Sequence, residues 1–161
     1  MIHEKIADEK DKIFCATQMS LSEPWITLKR SVEQSLQYIY DPLAEVYLAK
    51  SENKMIGFAI IKLRGAFTGY IQSILIFKEY QRMGYGHEFI SQLEEYIFPR
   101  CPNVFICASS FNHGALKLYQ ELGYKIVGEL TDYIIAGHSE ILMRKSIAPI
   151  ADFNINHKSR A

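Results

Sequence analysis

Hydrophobic and polar positions change period several times along the chain, and each change marks an element. Leu28, Val32, Leu36 and Ile39 recur at three- and four-residue intervals, the stripe of an amphipathic helix over about 28–40 that Pro42 closes. An earlier helix is expected from Asp8, a capping residue with acidic neighbours Glu9 and Asp11, to about Ser20, where Ser22-Glu23-Pro24-Trp25 breaks it. The pattern then turns strand-like, rich in β-branched and aromatic residues, over 45–50, 55–64 and 70–77. A turn at Ser51-Glu52-Asn53-Lys54 and a loop through Gly65 connect these runs tightly, which predicts an antiparallel meander.

Helical spacing returns at Phe89, Ile90, Leu93, Tyr96 and Ile97, predicting a helix over 84–98 stopped by Pro99 and Pro102. A short strand over 103–108 follows. Asn112 then caps a helix carrying Ala115, Leu116, Tyr119 and Leu122, and Gly123 ends it. Two closing strands, 124–135 and 140–146, turn around Ala136-Gly137-His138-Ser139. The strand–helix–strand unit from Tyr70 to Ala108 predicts a right-handed crossover between parallel neighbours. Together these elements describe an α+β domain with a mixed sheet over 1–148, and a flexible polar tail over 149–161.

Composition narrows the function. Lysine plus arginine and aspartate plus glutamate both number 18, so bulk charge gives no support to nucleic-acid binding. No apolar run approaches the roughly 18 residues of a membrane span, and the start lacks a signal peptide's apolar centre, so a cytoplasmic protein is expected. Cys15, Cys101 and Cys107 form no C-x-x-C pair and are expected to be reduced thiols. No group of side chains has metal-ligand spacing, so no metal is expected.

The junction between the 70–77 strand and the 84–98 helix reads Gln81-Arg82-Met83-Gly84-Tyr85-Gly86. Glycines at a helix start let the backbone approach a ligand, and amides without intrahelical partners, together with the helix dipole, favour a phosphate or pyrophosphate. A P-loop is absent, and a dinucleotide fingerprint would need a small residue where Phe89 stands. What remains is Gln-x-x-Gly-x-Gly followed by Asn112, Ala115, Leu118-Tyr119 and Leu122-Gly123-Tyr124. This combination, in this element order from about Asp8 to Ser146, resembles the GNAT family of acetyl-CoA-dependent N-acetyltransferases.

The resemblance implies a three-layer α/β/α fold whose six- or seven-stranded, mostly antiparallel sheet splays between strands 4 and 5. It implies that the amides of Arg82, Met83, Gly84, Tyr85, Gly86 and His87 hold the pyrophosphate of coenzyme A. Main-chain groups of Ile74, Leu75 and Ile76 would pair with pantetheine, and the Ile76 amide would face the thioester oxygen. Asn112 would touch the cofactor, a role compatible with capping. Tyr119 would be the general acid for the departing thiolate, or else an aromatic on a buried helix face.

The sequence departs from the family where a base is concerned. Relatives place glutamate at the positions of Tyr70 or Cys107, and neither is a carboxylate here. Cys107 is expected to be an inert buried thiol. The other candidates for the base, Glu23, Asp132, Tyr133, His138 and Glu140, lie near the expected acceptor side, and Glu23, Trp25, Tyr70, Tyr133 and His138 are the candidate acceptor-binding residues. A lysine-like amine, of pKa about 10.4, is deprotonated at pH 7 at a cost of about 4.6 kcal/mol, whereas an α-amine of pKa about 8 needs far less help. The expected acceptor is therefore a small low-pKa amine or a protein amino terminus, the latter as in the ribosomal-protein alanine acetyltransferases that Ser22-Glu23-Pro24-Trp25 and Asp132-Tyr133 thinly resemble. The alternative is a catalytically silent acyl-CoA sensor. A monomer or a homodimer is expected.

Overall fold

The computed structural model describes residues 2–6 and 8–153. Its elements in chain order are strand β1 (Ile2–Lys5), helices α1 (Glu9–Ser20) and α2 (Val32–Ile39), and strands β2 (Ala44–Ser51), β3 (Lys54–Lys62) and β4 (Tyr70–Ile76). They continue with helix α3 (Tyr85–Ile97), strand β5 (Asn103–Ser109), helix α4 (His113–Glu121) and strands β6 (Lys125–Thr131) and β7 (Ser139–Ser146). A single seven-stranded sheet runs in the order β1-β2-β3-β4-β5-β7-β6. Among the described strands only β4 and β5 pair in parallel, which is the crossover expected around α3.

Three elements differ from the pattern-based expectation by more than two residues. β1 was not expected: its four residues are too few and too polar to show alternation, yet they pair antiparallel with β2. α2 starts at Val32 rather than Leu28, because Ser31 and Gln34 form a reciprocal capping box there. The strand expected over 124–135 stops at Thr131, where Asp132 turns the chain at φ 53° and its carboxylate accepts from the Gly137 amide. The expected tail opens with one 3-10 turn at Ile150–Asp152, and residues 154–161 lie outside the described residues.

The sheet is the middle of three layers, and strand alternation divides the core in two. Val46, Leu48, Phe58 and Ile60 pack with Cys15, Ala16, Met19 and Ile39 of α1 and α2. Tyr47, Ala49, Ala59 and Ile61 pack with Phe89, Ile90, Leu93 and Ile97 of α3 and with Tyr119 of α4. The α3 stripe alone carries four wholly buried side chains, each worth about 1.5–3 kcal/mol.

Two features prepare a site in this frame. β4 carries a bulge: Ile60 faces Ser73 but Ile61 faces Ile71, so Gln72 has no partner on β3. The extra residue changes which positions share a face, so that Ile71, Ile74 and Ile76 all turn toward the α3/α4 core. The second feature is the short β4–β5 ladder, which holds only at Tyr70–Phe105 and Ile71–Ile106. Gly69 permits that close start: at φ +81°, a Cβ there would lie 2.1 Å from the Asn103 carbonyl oxygen. Beyond Ile71 the two strands diverge.

Candidate active site at the splayed strands

The opening between β4 and β5 exposes a definable set of main-chain groups. The Phe77 amide donates to the Ile56 carbonyl on β3 at 2.9 Å. Antiparallel pairs alternate in hydrogen bonding, so Leu75 likewise directs its amide and carbonyl at β3. Ile74 and Ile76 therefore direct theirs away from β3, toward the opening. The Ile76 carbonyl is engaged by the Gln81 side-chain amide at 2.8 Å, which leaves the Ile76 amide and both polar groups of Ile74 on that edge. Leu75, expected to offer main-chain groups beside its two neighbours, instead belongs to the β3 ladder and buries its side chain toward α1 and α2.

At the end of β4 a 3-10 turn at Lys78–Tyr80 leads into the glycine loop. Gly84 is the N-cap of α3 at φ +87°, a conformation that L side chains rarely adopt. The first helical bond runs from the Glu88 amide to the Gly84 carbonyl at 3.1 Å. Helix geometry thus leaves the amides of Tyr85, Gly86 and His87 without an acceptor in the helix, aimed out of its N-terminal end. Arg82 turns the backbone at φ 63° just before them, and Arg82, Met83 and Gly84 are exposed. A Cβ on Gly86 would lie 3.4 Å from the Leu118 side chain, so α4 comes up close behind the loop.

Deeper in the opening lies a cavity of about 160 Å³. Ile74 of β4, Ile106 and Ala108 of β5, and Asn112 and Tyr119 of α4 line its α3/α4 side. Cys107 and Ser109 belong to the opposite face of β5, where Trp25, Leu28 and Arg30 from the α1–α2 connection, Tyr38 of α2, and Tyr133 and Ile134 of the β6–β7 loop complete the wall. The cavity therefore passes through the sheet at the splay.

Asn112 caps α4, its Oδ1 accepting from the Ala115 amide at 3.2 Å. Tyr119 is 5 % exposed. Burial, reinforced by Cys107 and Glu140, raises the pKa of its hydroxyl and keeps it protonated at neutral pH. Tyr70 is raised in the same way, first by burial and then by the neighbouring Cys107. Burial also raises Cys107, which disfavours the nucleophilic thiolate.

The acetyltransferase (GNAT) family profile matches residues 11–124. The chain belongs to that family. It is similar to the N-alpha-acetyltransferase MAK3 of Arabidopsis thaliana, with 27% identity over 129 residues, 78% of this chain. It spans only 65% of that protein's length. An aminoglycoside 6'-N-acetyltransferase complexed with coenzyme A superposes with a TM-score of 0.73 at 18% identity, covering 92% of this chain and 98% of that one. A GNAT acetyltransferase from Elizabethkingia anophelis with acetyl-CoA bound gives 0.68 at 20%, covering 91% and 97%. The GNAT fold expected from the sequence is the fold observed.

Of the residues expected on the acceptor side, Trp25, Tyr70 and Tyr133 stand in the cavity wall of this GNAT protein. Glu23 and His138 do not. Glu23 is exposed and accepts from the Thr27 amide and hydroxyl at 3.2 and 3.0 Å, while His138 packs edge-on against Phe111 at 5.2 Å. Glu140, also placed on the acceptor side by the sequence, does stand in the cavity wall. What the sequence did not show is its burial: it is 6 % exposed and accepts from the Ser109 hydroxyl at 2.5 Å. No local pattern reveals this, because Ser109 sits on another strand and meets Glu140 only through the β5–β7 register.

Proposed function

We propose that the protein is an acetyl-CoA-dependent N-acetyltransferase that moves the acetyl group to a primary amine by direct attack. The observation that carries this reading is the continuity of three features: the αL glycine at the start of α3, the open edge of β4, and a buried tyrosine at the bottom of the same opening. The residues fit the ligand. Amides at 82–87 suit a pyrophosphate, the outward groups of Ile74 and Ile76 suit the amides of pantetheine, and the splay admits a narrow chain. Acetyl-CoA would supply the activated acetyl thioester.

The Ile76 amide stabilises the thioester oxygen as that atom gains negative charge. Tyr119, kept neutral by burial, donates its proton to the departing sulfur. Cys107 forms part of the wall, since its raised thiol argues against an acetyl-enzyme. Trp25, Tyr70 and Tyr133 contact the acceptor from the far side of the sheet. Small amines and protein amino termini are both candidate acceptors, and the similarity to an N-alpha-acetyltransferase favours including the latter.

The test is thiol release from acetyl-CoA across a panel of small amines and short peptides with free amino termini. Amine-dependent release supports an enzyme. Tight coenzyme A binding without transfer to any amine makes the protein a sensor instead.

A further inference from the structure

The proposed reaction still lacks a base: Tyr119 is its acid, and neither Tyr70 nor Cys107 in the cavity wall is a carboxylate. We propose that Glu140, held by Ser109, is the catalytic base that receives the acceptor's ammonium on the α1/α2 side of the sheet. This rests on the N-acetyltransferase reading above.

The placement follows from register. Glu140 on β7 lies directly opposite Ser109 on β5, and Cys107 lies two residues earlier on the same face of β5. A carboxylate on the neighbouring strand thus stands beside Cys107 on the face of β5 that lines the cavity. Ser109 donates to one carboxylate oxygen at 2.5 Å, which fixes the side chain's orientation. Among the described residues no cation lies within ion-pair distance of it. Gln72, lifted out of the ladder by the bulge, lines the same cavity with its Oε1 buried and without a partner. An incoming ammonium has N–H groups to satisfy both acceptors.

The two sides of the cavity divide the proton chemistry. Tyr119 enters from the α4 side, where the sulfur departs, and Glu140 stands on the side where Trp25 and Tyr133 admit an acceptor. Glu140 takes one proton from R–NH₃⁺, and the freed lone pair forms the N–C bond as the C–S bond breaks. Tyr119 protonates the sulfur and is restored by the second nitrogen proton, while Glu140 returns its own to water. The balance is one amide, one thiol and one released proton.

The titratable and charged groups that share the cavity wall with Glu140 are Tyr70 from β4, Cys107 from β5, Tyr119 from α4, Arg30 before α2, Tyr38 of α2 and Tyr133 from the β6–β7 loop. Burial pushes its carboxyl above the ordinary range, against the opposing pull of the Ser109 hydroxyl and of Arg30. A base raised toward neutrality is better matched to an ammonium.

The experiment is the pH dependence of kcat/KM for wild type, Glu140→Gln, Glu140→Asp and Ser109→Ala, with coenzyme A affinity by calorimetry and thermal midpoints as fold controls. Glu140→Gln is expected to lower kcat/KM about 100-fold or more and to abolish the acidic limb, with coenzyme A affinity unchanged. Glu140→Asp retains the limb at a reduced rate. Ser109→Ala moves the limb to higher pH, because the ionised form loses a donor. Wild-type rate and limb in Glu140→Gln, or a limb unmoved in Ser109→Ala, overturns the assignment while leaving the acetyltransferase reading intact. A wild-type protein that binds coenzyme A and acetylates no amine overturns that reading, and the base with it.

Discussion

The side-chain amide of Gln81 donates to the carbonyl of Ile76 at 2.8 Å, fastening the glycine loop to the last residue of β4. One hydrogen bond thereby couples the pyrophosphate end of the proposed site to the strand edge that faces the thioester. Replacing Gln81 by Ala removes the tie without touching the helix-start amides. The expected result is a several-fold weaker coenzyme A affinity by calorimetry with a smaller change in kcat. An unchanged affinity would show that the loop holds its geometry unaided.

Gly84 sets the loop at φ +87°, and nothing lies within 4 Å of a Cβ placed there. The penalty for a side chain is therefore conformational rather than steric. Gly84→Val should cost on the order of 1–3 kcal/mol if the backbone keeps its shape. A relaxed loop would instead misdirect the amides of residues 84–87. Either response predicts weaker coenzyme A binding, read by titration beside a thermal midpoint.

Tyr119→Phe keeps the buried ring and its contact with Tyr124, 6.0 Å between centroids, and deletes only the hydroxyl. Transfer should slow about 100-fold or more, with cofactor affinity preserved. An unchanged rate would reduce Tyr119 to packing.

Burial raises the Glu140 carboxyl, so stability should respond to pH in a defined direction. Below the ordinary glutamate value of about 4.3, folded and unfolded states both hold the proton and the buried charge costs nothing. As pH rises through the higher folded value, the native protein loses stability relative to a chain without this group. Glu140→Gln should therefore gain on wild type between low and neutral pH, measured by denaturant unfolding. A variant less stable at neutral pH than in acid, relative to wild type, would contradict this sign.

Away from the site, Lys145 on β7 donates to Glu94 of α3 at 2.6 Å, and the Glu94 side chain is only 9% exposed. Lys145→Met leaves that carboxylate without its cation. The expected loss is about 3 kcal/mol, or roughly 6–12 °C in thermal midpoint for a chain of this size.

Much of the fold was legible because its signals are local. Phe89, Ile90, Leu93 and Ile97 mark α3 by spacing, and Tyr70–Ile76 marks β4 by composition. The glycine loop between them is readable for the same reason. β1 was not, since four polar-rich residues become a strand only by pairing with β2. At the site, Trp25, Tyr70 and Tyr133 line one cavity, whereas Glu23 and His138 lie outside it, Glu23 bonded to Thr27 four residues on and His138 packed against Phe111. The burial of Glu140 and the orphaned carbonyl of Gln72 arise from register and a bulge, which exist only once distant strands have paired.

The most direct test of the account is a crystal structure with coenzyme A bound. The account predicts the pyrophosphate on the amides of residues 82–87 and the pantetheine between β4 and β5 beyond Ile71, its sulfur ending near Tyr119. Coenzyme A bound elsewhere, or β4 and β5 zipped together with the ligand excluded, would contradict it.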